Sequence, residues 1–190
     1  MSTFEMYLRL GFQHIINIHG YDHIIFVLVL CAAYSAKEIT RVLILVTAFT
    51  IGHSLTLALS TLNILSIPSR YVEFMIPATI LITALSNVLP SRRGNLRIVF
   101  VTTLFFGLIH GLGFSNYLKG LLGKESNILT PLFAFNVGIE TGQIVILCLY
   151  FLLYLLTVNL MKVRHDFWRL YISGAGFGIA LILLIENKFW

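Results

Sequence analysis

Residues 130–160 read TPLFAFNVGIETGQIVILCLYFLLYLLTVNL, a run with a single carboxylate, Glu140, and no basic residue. A helix rises about 1.5 Å per residue and the bilayer hydrocarbon is about 30 Å thick, so roughly 20 apolar residues cross it. This run is longer than a crossing needs and must tilt or extend past the bilayer. It also carries a pattern: Asn136, Glu140 and Gln143 fall at i, i+4 and i+7, on one stripe of a helix. A polar stripe on an otherwise lipid-compatible helix points into a bundle.

The same texture extends in both directions. Apolar stretches at about 22–36, 41–62, 71–90 and 98–118 precede the run, and another at 167–187 follows it. Over the 190 residues 58% are apolar and 11% charged, against about 25% charged in a soluble domain, too few to build a polar shell. A soluble globule, a disordered chain and a disulfide scaffold are thereby excluded. The expected fold is all-α: one polytopic transmembrane helical bundle over residues 1–190, with six spans. Residues 1–18 alternate apolar and polar side chains and are expected to form an N-terminal interfacial helix, with seven spans as the alternative.

Turn chemistry marks the breaks. Pro68-Ser69-Arg70, Pro90-Ser91-Arg92-Arg93-Gly94 and Gly123-Lys124-Glu125-Ser126-Asn127 separate apolar runs, and none is long enough to hold a second domain. The net charge of +5 comes from basic residues at the ends of apolar runs, a placement that orients helices rather than binding nucleic acid. Lys37, Arg41, Arg92, Arg93, Arg97, Lys162, Arg164 and Arg169 lie on one side; Arg9, Arg70, Lys119, Lys124 and Lys188 lie on the other. Eight against five puts the first set in the cytoplasm and both termini outside a bacterial-type inner membrane. The start of the chain has no basic region and no small-residue cleavage site, so it is not expected to be a signal peptide. Cys31 and Cys148 stand in separate runs without a partner at metal or redox spacing and are expected to pack. Gly174-Ala175-Gly176-Phe177-Gly178 suggests close helix packing.

Ionisable side chains in hydrocarbon cost about 2.5–3.5 kcal/mol each on insertion scales, so those present need partners or a task. They are Asp22, His23, His53, His110, Glu140 and Glu186, with His14, His19 and Glu73 nearer the boundaries. Counted along their helices, His53 and His110 each lie roughly 18 Å from the cytoplasmic side and Glu140 roughly 14 Å from the outer side. All three are expected just outside the midplane, with Asp22 and His23 opening the first span and Glu186 closing the last near the same face. His14 is assigned to the interfacial helix, and His165 to a solvated loop. Imidazoles with carboxylates and no thiolate form an N/O site suited to Ni, Co or Zn. The expected metal set is Asp22, His23, His53, His110, Glu140, Glu186 and His19. The expected partners are a divalent metal ion and the lipid bilayer, with a homo-oligomer left open.

Four segments carry a family resemblance. Gly20-Tyr21-Asp22-His23, Phe49–Leu57 (FTIGHSLTL), Gly107–Phe114 (GLIHGLGF) and Phe135–Gln143 (FNVGIETGQ) resemble, in order, the motifs of the HupE/UreJ membrane proteins associated with hydrogenase and urease. The family's His-Pro pair six residues before the Asp is absent here, where Ile16 stands. The resemblance implies movement of nickel or cobalt. Two functions are therefore weighed. The first is a permease for a divalent transition metal, with capture at Asp22 and His23 and holding at His53, His110 and Glu140. The second is an intramembrane metal-dependent hydrolase acting on a lipid or embedded peptide, with Glu140 or Glu186 as general base. Against the permease stands an inner half whose polar residues are hydroxyls such as Ser35, Thr47, Ser86 and Thr157.

Overall fold

The computed structural model describes residues 2–18, 20–89, 95–122 and 128–190. Among these, the chain forms seven α-helices and no strand: α1 (Thr3–Ile16), α2 (Asp22–Ala32), α3 (Ile39–Thr61), α4 (Ser69–Val88), α5 (Leu96–Leu122), α6 (Leu129–Tyr154) and α7 (His165–Glu186). A π-helical turn, Leu155–Leu160, extends α6. Five helices are long and apolar enough to cross a membrane by themselves: α3 with the short 3-10 turn before it, α4, α5, α6 with its π turn, and α7. They follow the expected stretches to within a few residues.

The first span departs from expectation. In place of one helix over 22–36 there is an 11-residue α2, about 16 Å long, half of what a crossing needs. Beside it, α1 packs lengthwise on α6: Gly138 abuts the backbone of Leu8 and Phe12, Gly142 meets Ile15, and Gly11 abuts the carbonyl of Phe135. Residue numbers rise together, so α1 runs in the same direction as the first half of α6. Tyr7, Gly11 and Ile15 make its buried stripe, while Glu5, Arg9 and Gln13 stay exposed. Tyr7 and Ile15 fill the contact, and the glycines let the two backbones approach.

From there α2 continues toward the opposite face. Its Val29 carbonyl accepts from Asn87 Nδ2 (2.7 Å), near the end of α4, and Val29 packs on Gly176 of α7. Thus α1 and α2 succeed one another from one face of the bundle toward the other, with α1 ending at Ile16 and α2 starting at Asp22.

The remaining helices alternate. Contacts Ser69–Asn116, Ile76–Gly113 and Thr79–His110 run in opposite numerical senses, so α4 and α5 are antiparallel. On α3 and α5 they run in the same sense: Gly107 against the Phe49 carbonyl, Gly111 against that of His53, and Gly52 against the backbone of Leu104 and Leu108. At the end of α7, Phe189 packs on Tyr71 and Phe74 at the start of α4. Both termini consequently lie on one face of the bundle. Of the three glycines in the 174–178 run, Gly176 makes the expected close contact, whereas Gly174 and Gly178 face open space.

Candidate metal centre

Two glycine contacts set the level of the centre. Gly52 precedes His53 and Gly111 follows His110, so the closest approach of α3 and α5 brings both imidazoles to one depth. The break in the first traverse delivers the others: His14 from the last turn of α1 and Asp22 and His23 from the first turn of α2. Ring centroids lie 4.7 Å apart for His14–His23, 5.7 Å for His14–His53, 5.8 Å for His23–His53 and 5.0 Å for His23–His110. Among the described residues, ligand-type atoms fall in two groups, His14 with His23 and His53, and Asp22 with His23 and His110, each within 4.8 Å of one another. His23 belongs to both.

Aromatic rings pack against this cluster on both sides. Toward the opposite face Phe49 lies 5.0 Å from His110 and Phe26 lies 5.2 Å from it. Toward the termini Phe114 lies 4.1 Å from His14 and stacks on Phe135 at 5.2 Å. His53 and His110 are wholly buried.

Burial raises a question of satisfaction. His14 Nε2, His23 Nε2, both nitrogens of His53 and His110 Nδ1 are buried without a hydrogen-bond partner among the described residues. Each such atom costs about 1–3 kcal/mol in lost solvation, and five converge here. Imidazole lone pairs with one carboxylate are the donor set that nickel, cobalt or zinc accepts. Asp22 Oδ1 accepts from the His23 backbone N–H (2.9 Å) and lies 3.1 Å from His23 Nδ1, which orients that ring with Nε2 turned to the cluster.

Not every residue of the expected set is here. Glu140 joins neither group; its Oε1 accepts from Thr47 Oγ1 (2.8 Å). Gln143 Oε1 accepts from Thr50 Oγ1 (2.8 Å), so the α6 stripe ties that helix to α3 by interhelical hydrogen bonds. Glu186 is exposed at the last residue of α7, and Glu73 is exposed on α4. His19 lies outside the described residues. His165 starts α7, half-buried, 3.2 Å from the Tyr154 hydroxyl rather than in open solvent. The cluster residue that sequence reading passed over is His14. It sits seven residues after Tyr7 and three after Gly11, on the inward face of α1, and helical periodicity could have revealed it.

Two cavities flank the cluster. One, about 460 Å³, has Gln13, His14, Asn17, Phe114 and Tyr117 in its wall and adjoins the cluster through His14. The other, about 410 Å³, opens near the face away from the termini and is lined by Thr83, Ser86, Asn87, Arg41 and Arg169 among others. A hydroxyl line on α4 joins it to the cluster: Thr79 meets His110 Nε2 at 2.9 Å, Thr83 Oγ1 donates to the Thr79 carbonyl, and Ser86 Oγ donates to that of Thr83.

Fold and site together define a small polytopic membrane protein with a histidine cluster at a helix break. The chain belongs to the HupE/UreJ family, which it matches as HupE / UreJ protein over residues 1–187. No curated protein and no solved structure matches it.

Proposed function

We propose that the protein is a permease for a divalent transition metal, nickel or cobalt first, with the cation as its cargo. The observation that carries this reading is the placement of the imidazole cluster between two cavities on opposite sides of a broken helix. Broken helices whose ends meet inside a bundle are a recurrent way to build ion sites in secondary transporters. His14, at the wall of the cavity nearer the termini, receives the ion; His23, His53 and His110 hold it, with Asp22 supplying negative charge and orienting His23. Release follows the α4 hydroxyls toward the opposite cavity. That line supplies oxygen donors in the half of the bundle where the sequence offers no ionisable relay. Arg41 and Arg169 at this mouth are paired with Glu38 (3.1 Å) and Asp166 (3.5 Å).

Family membership supports metal handling, and the basic-residue bias supports import, with both termini outside a bacterial cytoplasmic membrane. The hydrolase alternative asks for a carboxylate base beside the metal. Glu140 is engaged with Thr47, Glu186 is exposed at a helix end, and the one carboxylate at the cluster, Asp22, is held by the His23 backbone N–H and ring, which supports transport over hydrolysis.

The test is uptake of Ni²⁺, Co²⁺ and Zn²⁺ into proteoliposomes, beside metal binding by the purified protein. The expected outcome is saturable uptake of at least one ion, abolished in His23→Ala and His53→Ala. Intact uptake in both variants would overturn the reading.

A further inference from the structure

We infer that Thr79 is a positioning residue that locks His110 in one tautomer, so that Nδ1 is the atom His110 offers to a cation. The inference rests on reading the cluster as a cation site, but its main observable does not require the ion.

The Thr79 hydroxyl lies 2.7 Å from the Ile76 carbonyl oxygen and 2.9 Å from His110 Nε2. Two oxygens at 2.7 Å repel unless a hydrogen lies between them, and the carbonyl has none to give. The single hydroxyl hydrogen of Thr79 therefore points at Ile76. Toward His110 the hydroxyl has lone pairs alone, so Nε2 must be the donor. A neutral imidazole carries one N–H. Nδ1 is then the lone-pair nitrogen, and it is the ring atom of His110 that is buried without a partner. Thr79 is itself 2% exposed, so water does not compete for this bond.

The consequence is directional. Metal-binding histidines generally donate their second ring N–H to a neighbouring acceptor, which fixes both tautomer and ring orientation. The acceptor here is a neutral hydroxyl, itself held by its own helix one turn back. Without Thr79, His110 gains the other tautomer, in which Nδ1 carries the proton and has no lone pair for the ion.

The experiment is a two-bond proton–nitrogen NMR spectrum of ¹⁵N-histidine-labelled, metal-free protein, assigned to His110 by its loss in His110→Gln. The expected result is the Nε2–H tautomer in the wild type, retained in Thr79→Ser and lost or mixed in Thr79→Val. Affinity for Ni²⁺ or Co²⁺ should fall about 10–100-fold in Thr79→Val and recover in Thr79→Ser. A wild-type His110 protonated on Nδ1, or a folded Thr79→Val with unchanged tautomer and affinity, would overturn the inference. If Thr79→Val does not fold, the wild-type and Thr79→Ser spectra decide. A correct tautomer in a protein that binds no metal would leave this inference standing and overturn the proposed function.

Discussion

His53 concentrates the conflict between stability and function. Its ring is fully buried and neither nitrogen has a partner, so in the metal-free protein it is a liability worth about 1–3 kcal/mol per atom. His53→Leu, which removes both polar atoms at similar volume, should leave the apo melting temperature in detergent equal or raised. The same variant should lose the stabilisation that metal gives the wild type, about 2.7 kcal/mol at a hundredfold excess over Kd. A destabilised apo variant that still responds to metal would contradict this. Asp22 acts differently, through charge and through the hold on His23 Nδ1. Asp22→Asn keeps an acceptor but loses the charge, and should weaken binding about 10–100-fold without unfolding the protein, as read by calorimetry beside circular dichroism. At this scale the sequence was legible where residue type and depth sufficed. Asp22, His23, His53 and His110 stand together because their ranks along the helices put them at one level. Glu140 shared that level but points to Thr47, and depth alone carries no information about azimuth.

The broken first traverse depends on helix contacts at the next scale up. Neither α1 nor α2 is long enough to cross alone, and the alternating polarity of residues 3–18 suits a surface helix as well as one packed on α6. What decides between them is the match of Gly11 to the Phe135 carbonyl and of Gly138 to the backbone of Leu8, a tertiary fit that one helix's composition does not encode. The long spans were legible because hydropathy over about 20 residues is itself the physical determinant. The same contacts give a prediction for α3 and α5. A side chain at Gly52 would meet the backbone of Leu104 and Leu108, which cannot yield as a flexible side chain can. Gly52→Val should therefore cost about 1–3 kcal/mol or more, seen as a lower melting temperature and loss of metal binding together. Gly178→Ala, into open space on α7, should be neutral or stabilising by about 0.5–1 kcal/mol. Equal effects at the two glycines would argue against the α3–α5 contact.

For the whole molecule, the alternation of helices places both ends of the chain on one face, the face that the proposed orientation puts outside. Tags at the two termini should both be reached by a membrane-impermeant probe added to spheroplasts, whereas one reached and one protected would break the six-traverse arrangement. The two cavities carry a kinetic prediction. Thr83→Leu, on the hydroxyl line leading away from the cluster, should slow uptake about tenfold while leaving equilibrium binding within a few-fold of wild type, as expected if it raises a barrier by about 1.4 kcal/mol. Equal losses in binding and uptake would assign Thr83 to the fold instead. The central claim is that imidazoles from α1, α2, α3 and α5 converge, with His23 shared between two ligand groups, to bind a divalent cation. X-ray absorption of the purified protein loaded with Ni²⁺ or Co²⁺ tests it directly. At least one ion per chain is expected, bound by nitrogen and oxygen with several imidazoles and no sulfur, with that signature lost in His23→Ala. An ion surrounded by water or sulfur, or an unchanged spectrum in His23→Ala, would contradict it.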